Sequence, residues 1–214
     1  MPAPEGSRRS ERIGIFGGTF DPPHLGHVAA ARAVQDALAL DRLLLVVAND
    51  PWQKSPTRSI TPAEDRFALA QALCAEIPGA EASRIEIDRG GPSYTVMTAE
   101  ALLAEAEAAG QDPPELFVVV GADLVAELGT WERSDDLKRL VTVAVVSRPP
   151  LTPGTEPAPA APPGWRVRRV DGPQVDVSSS AVRAVLQRGG SIEELVPPGV
   201  VHCIRRRNLY AVGR

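Results

Sequence analysis

The chain lacks what would mark a disulfide scaffold, a membrane protein or a nucleic-acid binder. Its 214 residues include two cysteines, Cys74 and Cys203, far apart and without metal-ligand spacing. Both stand among apolar residues, which reads as two buried free thiols in a reducing cytosol. No run of about eighteen apolar residues occurs, so no membrane-spanning helix is expected. Lys and Arg total 23 against 27 Asp and Glu, a net charge of −4, which leaves no global basic field to hold nucleic acid. The opening MPAPEGSRRSER has no apolar core, so it is not a secretory signal. Residues 1–11 read as a disordered polar lead-in, and a cytoplasmic location follows as the expectation.

Apolar runs then alternate with helical patterns. Arg12 to Phe16 reads as a strand and Leu25 to Leu40 as a helix. Leu43 to Val47 and Leu116 to Val120 are continuous apolar runs, as expected of strands buried on both faces of a parallel sheet. Thr61-Pro62-Ala63-Glu64 combines an N-cap, a proline at the first helical position and a capping-box glutamate, predicting a helix to Ile77. Arg84 to Asp88 alternates like a strand. An Ala/Glu-rich helix ends at Gly110, a suitable C-terminal cap. Ser134 to Leu140 reads as a helix, Thr142 to Val146 and Arg166 to Val170 as strands, and Ser178 onward and Pro197 to Ile204 as short helices. The expected fold is α/β: a Rossmann-like, doubly wound parallel sheet with a small C-terminal helical portion. Residues 12–214 form a single domain in this reading. Pro149 to Gly164, with seven prolines in sixteen residues, reads as an extended surface loop.

The most informative stretch is IGIFGGTFDPPHLGH, residues 13–27. A β-branched run feeds the Gly17-Gly18 turn, and two histidines, His24 and His27, arrive as a helical pattern begins. A strand, a glycine turn and a helix start make a phosphate site: backbone N–H groups are unpaired, the helix dipole favours negative charge, and glycine admits close approach. The histidines add donors that can be neutral or charged near physiological pH. Gly121-Ala122-Asp123, after the most hydrophobic strand, lies at another strand end of the kind where such sheets bind ligands.

The stretch resembles the nucleotidyltransferase superfamily defined by a histidine-x-glycine-histidine motif. The superfamily pattern G-x-F-x-P-x-H-x-G-H stands here as Gly18, Phe20, Pro22, His24, Gly26 and His27. A second superfamily motif, a serine-rich turn followed by arginine, stands as Val177-Ser178-Ser179-Ser180-Ala181-Val182-Arg183. Pro51-Trp52-Gln53-Lys54, Arg66, Ser93-Tyr94-Thr95, Gly121-Ala122-Asp123, Trp131 and Ser147-Arg148-Pro149 follow in an order similar to the bacterial nicotinate mononucleotide adenylyltransferase family. The likeness covers roughly residues 12 to 210. Four positions depart from the family pattern: Val177 stands for isoleucine and Ser180 for threonine in the serine turn, a histidine is missing from PWQK, and Glu132 follows Trp131 where an aromatic is usual.

The resemblance implies transfer of AMP from ATP to nicotinate mononucleotide, giving deamido-NAD and pyrophosphate without a covalent enzyme intermediate. It implies His24, His27, Lys54 and Arg183 as the catalytic groups. ATP would be bound by Gly17, Gly18, Thr19, Phe20, His24, His27, Gly121, Asp123, Ser179, Ser180 and Arg183. The mononucleotide would meet Tyr94, Thr95, Trp131, Lys54 and Arg148. Asp123 reads either as an adenosine contact or as an N-cap, and Trp131 either as a stacking surface or as a core residue. Trp52 reads as a lid residue or an exposed loop aromatic. Mg²⁺ would arrive on the ATP phosphates, since no dedicated carboxylate cage stands in the sequence, and no protein metal ligand is assigned. ATP and nicotinate mononucleotide are the implied partners, with no nucleic acid and no membrane; a homo-oligomer is compatible with the sequence. The rivals are transferases for phosphopantetheine or a cytidylyl acceptor, and a nucleotide-sensing module that binds without turnover.

Overall fold

The computed structural model describes residues 9–51, 59–147 and 160–210. Six strands form one sheet: β1 (Arg12–Gly18), β2 (Arg42–Val47), β3 (Ala80–Ser83), β4 (Glu115–Gly121), β5 (Val141–Ser147) and β6 (Val167–Asp171). Their order is β3-β2-β1-β4-β5-β6, and every neighbouring pair is parallel. The two apolar runs explain the architecture. Leu43, Leu45, Val47, Phe117 and Val119 enter one core layer, while Leu44, Val46, Leu116, Val118 and Val120 enter the other. A strand buried on both faces needs helices on both faces, so the sheet is doubly wound. The chain winds from β1 outward to β3, then returns to β4 beside β1 and winds the other way. The crevice beyond the carboxyl ends of β1 and β4 is therefore the topological switch point.

Helices α1 (Leu25–Leu38), α2 (Ala63–Cys74), α6 (Ser179–Gln187) and α7 (Pro198–Arg207) contribute to the first layer. Helices α4 (Thr95–Ala108) and α5 (Ser134–Leu140), with the 3₁₀ run Ala122–Thr130, build the second. α1 buries Val28, Ala31, Val34 and Leu38 at helical spacing and ends on a left-handed Ala39 (φ 45°). α4 ends before Gly110, whose φ of +66° is the conformation glycine tolerates. The two C-terminal helices sit where the sequence places them.

Two local expectations fail. Arg84 to Asp88 is not a strand: β3 is Ala80–Ser83, and Ile85–Arg89 forms a short helix, α3. The alternation R-I-E-I-D also places Arg84 one turn from Asp88, and those two pair at 3.1 Å. Arg84 additionally grips Glu64 through both terminal nitrogens, at 2.8 and 2.9 Å. The capping box at Thr61 does not form either. Pro62 is the N-cap, with no side-chain cap bond, and α2 ends at Cys74. Glu64 is taken by Arg84, and the Thr61 carbonyl accepts from Arg66 Nε at 2.7 Å.

Of the lead-in, residues 9–11 are bonded into the fold: Arg9 pairs with Asp41 at 2.6 Å, and Glu115 N donates to Glu11 O at 2.8 Å. Within the proline-rich stretch, 149–159 lies outside the described residues. Ala161 packs partly buried against the second core layer, as does Trp165 just beyond the stretch. Cys203 is buried and Cys74 partly so; both are free thiols.

Candidate active site

The turn after β1 is built by close approach. A Cβ on Gly18 would lie 2.9 Å from the Phe20 ring, and Phe20 itself has a positive φ of 50°. Phe20 is 2% exposed and supports the turn from beneath. The two histidines then open α1 together. His24 is the N-cap, its Nδ1 accepting from Gly26 N at 3.2 Å, while His24 N donates to His27 Nδ1 at 3.1 Å. This is a capping box made of imidazoles, and the three-residue spacing of the motif is the spacing of such a box. Gly26 gives it room, since a Cβ there would meet the His24 ring at 3.0 Å. Both Nδ1 atoms accept, which an imidazolium cannot do, so the arrangement describes neutral rings carrying the proton on Nε2. The ring centroids are 3.9 Å apart, and His27 also packs near Phe16 and Phe20. Both histidines line a cavity of about 260 Å³ with Phe16, Gly121, Val146, Pro173 and Ser178.

The second motif is fastened to the first. Ser178 caps α6, its Oγ accepting from Ala181 N at 3.1 Å. Ser179 Oγ donates to Pro22 O at 2.8 Å, and Arg183 donates to Asp21 O at 2.6 Å and to Ser180 Oγ at 3.0 Å. Two residues outside the sequence reading of the site complete this corner. Asp21, 1% exposed, accepts from the Tyr210 hydroxyl at 2.8 Å across 189 residues of chain. Burial, with the Asp21 carboxylate alongside, holds the Tyr210 hydroxyl well above its ordinary pKa. Asp21, Thr61, Ser180, Arg183 and Tyr210 border a cavity of about 600 Å³. Only a titratable residue inside the first motif, Asp21, carried any sequence signal; nothing local marks Tyr210.

On the other side of the β1 turn lies a cavity of about 190 Å³, bordered by Gly17, Gly18, Thr19, Ala48, Ser93, Thr95 and Trp131. It adjoins a smaller one of about 140 Å³ that Tyr94, Thr95, Glu127, Trp131 and Glu132 share. Tyr94 is the N-cap of α4 and makes no side-chain cap bond, so the helix presents the N–H groups of Thr95 and Val96, while that of Met97 is bonded to Tyr94 O at 3.1 Å. Trp131 is partly buried against the second core layer and also borders both cavities. Asp123 is exposed in the first turn of the 3₁₀ run, whose N-cap is Gly121, which overturns the N-cap reading of Asp123. A Cβ on Gly121 would meet the Asp123 carboxylate at 2.4 Å, a contact that the exposed Asp123 side chain can relieve by rotating. The structure thus brings His24, His27 and Gly121 to one cavity, Gly17, Gly18, Thr19, Thr95 and Trp131 to a second, and Ser180 and Arg183 to a third. Lys54, Trp52 and Arg148 lie outside the described residues.

A strand-order reversal with paired histidines at a helix start defines a nucleotidyltransferase site, and comparison with known proteins agrees. A family model described as cytidylyltransferase-like matches residues 15–185. The probable nicotinate-nucleotide adenylyltransferase of Corynebacterium kroppenstedtii is 42% identical over 93% of this chain and 90% of its own length. A counterpart from Thermus thermophilus, of the same description, is 40% identical over 93% of this chain and 99% of its own. The chain therefore belongs to the nicotinate-nucleotide adenylyltransferase family within the cytidylyltransferase-like group. The fold is shared with Plasmodium falciparum nicotinic acid mononucleotide adenylyltransferase complexed with NaAD, at a TM-score of 0.72, 16% identity and coverage of 94% and 97% of the two chains.

Proposed function

We propose that this chain transfers AMP from ATP to nicotinate mononucleotide, forming deamido-NAD and pyrophosphate. The observation that carries the reading is the placement of two cavities on either side of the β1 turn at the switch point, with His24 and His27 on one side and Thr95 and Trp131 on the other. The adenosine half belongs in the first cavity and the pyridine half in the second. The 5′-phosphate of the mononucleotide then stands between them, facing the α-phosphorus. An oxygen of that phosphate forms the new P–O bond, the bond from the α-phosphorus to the bridging oxygen breaks, and pyrophosphate leaves with the electron pair. The attacking phosphate is already anionic, so no protein nucleophile and no strong base are needed. Catalysis is positioning together with neutralisation of charge on the pentacoordinate transition state.

Each motif has a part in this. The Nε2–H groups of His24 and His27 donate to phosphate oxygens, with His27 on the α-phosphate. Their Nδ1 atoms are occupied by the cap, so the donors are held in place before substrate arrives. Arg183, with the Ser179–Ser180 turn, holds the β- and γ-phosphates, and its bond to Asp21 O keeps it beside the first motif. Phe20 supports the Gly17–Thr19 turn, Gly121 and Asp123 meet the adenosine, and Lys54 adds positive charge. Trp131 stacks on the pyridine ring. The Tyr94–Thr95 N–H groups at the positive end of α4 take the carboxylate, and Arg148 meets the mononucleotide phosphate. Among the described residues no group of three or more His, Cys, Asp or Glu is arranged to hold a metal ion. Mg²⁺ would be carried by phosphate oxygens and water, where it would offset negative charge on the leaving pyrophosphate. No helix among the described residues is long and apolar enough to cross a membrane, and we assign the reaction to the cytoplasm.

The test is pyrophosphate release from ATP with nicotinate mononucleotide, nicotinamide mononucleotide, phosphopantetheine and a cytidylyl acceptor in parallel. Turnover with nicotinate mononucleotide well above the others is expected. Binding of ATP without release with any acceptor would make the protein a nucleotide sensor and overturn the reading.

A further inference from the structure

Arg66 on α2 is 1% exposed, and its guanidinium is spent on backbone carbonyls from three segments. It donates to Thr19 O at 3.1 Å, Ala48 O at 2.6 Å, Asn49 O at 3.1 Å and Thr61 O at 2.7 Å. These carbonyls stand at the turn after β1, just past the end of β2, and at the entry to α2. A charge is buried at high cost unless hydrogen-bonded, and only a planar five-donor fork can reach this many acceptors in fixed geometry. Asn49 passes the constraint on. Its N–H donates to Ser93 Oγ at 2.9 Å, and its Nδ2 donates to Gly91 O at 2.9 Å. Ser93 N returns a bond to Asp50 O at 3.4 Å. The segment so held, Gly91 to Ser93, leads directly into the N-terminus of α4.

Neither Arg66 nor Asn49 borders the second cavity, yet its walls Thr19, Ala48 and Ser93 are the groups these two residues bond. The first cavity, with Phe16, His24, His27 and Val146, has none of these bonded walls. We propose that Arg66 and Asn49 form a positioning relay that sets the acceptor-side wall, fixing the β1 turn against the start of α4 and thereby the choice of mononucleotide. The inference rests on the activity proposed above. The relay acts through other residues and touches no reacting atom.

The experiment compares R66K, which keeps the charge and loses the fork, with N49A, which removes the bond to Gly91 and leaves the interior filled. Both are measured for KM of each substrate, for the ratio of nicotinate to nicotinamide mononucleotide efficiency, and for amide hydrogen exchange at Ser93–Thr95 without substrate. Displacing a wall by about 1 Å is enough to cost on the order of ten- to a hundredfold. The expected result is a rise of about tenfold or more in KM for the mononucleotide, a change within about twofold for ATP, a lower acid-to-amide ratio and faster exchange at Ser93–Thr95. Equal shifts in both KM values, or no shift in either variant, would overturn the relay. If R66K does not fold, N49A decides alone by the same readouts. A wild-type protein that fails to turn over nicotinate mononucleotide overturns the functional reading, whereas unchanged exchange at Ser93–Thr95 in the variants overturns the relay.

Discussion

At the scale of single residues, the paired histidines divide their work between the two ring nitrogens. Nδ1 of each builds the start of α1, and under the proposed mechanism Nε2 is left to donate to phosphate. His27→Ala should therefore lower kcat/KM by the equivalent of about 3–4 kcal/mol, as loss of a preorganised donor does. It should also cost about 0.5–2 kcal/mol of stability, as loss of a cap does. Steady-state kinetics and urea unfolding read the two separately, and near-normal turnover would remove His27 from the mechanism. The placement of His24 and His27 at a helix start was legible in the sequence. Their mutual capping was also written there, in the N-cap-to-N3 spacing, and becomes visible once His24 is known to be extended, at φ −149° and ψ 174°.

At the scale of elements, the N-terminus of α4 makes the sharpest prediction. Thr95 is the first residue of the helix, the one position where proline fits without breaking it. Thr95→Pro removes one N–H and little else; Thr95→Ala removes the side chain and keeps the N–H. If backbone donors read the nicotinate carboxylate, the wild type prefers acid to amide by about tenfold or more, each tenfold being about 1.4 kcal/mol. Thr95→Pro should erase most of that preference and Thr95→Ala little of it. Parallel efficiencies with the two mononucleotides decide, and equal use of both by the wild type ends this account of the helix. The element boundaries the sequence misassigned have physical causes of the same kind. Arg84 to Asp88 satisfies a period of two and an i,i+4 ion pair at once, and the bidentate hold of Arg84 on Glu64 from α2 coincides with the helical outcome. That partner is twenty residues away, so no window on the sequence could weigh it.

At the scale of the whole molecule, the C-terminus closes the site. α7 packs on α2, and Tyr210 beyond it donates to Asp21 of the first motif, so the last described residue meets that motif beside Arg183. Tyr210→Phe keeps the ring and deletes the hydroxyl, with its bond to the buried Asp21 carboxylate and its contact with Thr61. A loss of about 1–3 kcal/mol in stability is expected, with weaker ATP binding through a loosened Arg183, measured by denaturation and by calorimetry. Stability with ATP affinity untouched would confine Tyr210 to a structural role. The fold also carries an alkaline weakness. Burial pushes the Cys74 thiol up to about 12 and raises the Tyr210 hydroxyl as well. Both groups hold their protons more tightly folded than unfolded. Their contribution is complete below the unfolded thiol value of about 8.5 and is lost as pH climbs toward the folded values. Urea midpoints should fall steadily above about pH 9, and Cys74→Ala should flatten that decline. A midpoint flat in the wild type through about pH 10.5 would remove the thiol from this balance.

The sequence by itself determined the sheet, its two buried faces and the nucleotide motifs. Those are set by local signals: apolar runs too long for a one-sided strand, glycines where the backbone must turn tightly, and polar residues where helices begin. It determined the family too, since both motifs stand in the first and last thirds of the chain. Only the tertiary structure decided what each motif leans on. Arg183 depends on Asp21, Asp21 on Tyr210, and the β1 turn on Arg66, through bonds that span 47 to 189 residues. A backbone carbonyl is the same group at every position in a sequence. Which arginine it accepts from is settled only when folding carries both to one place.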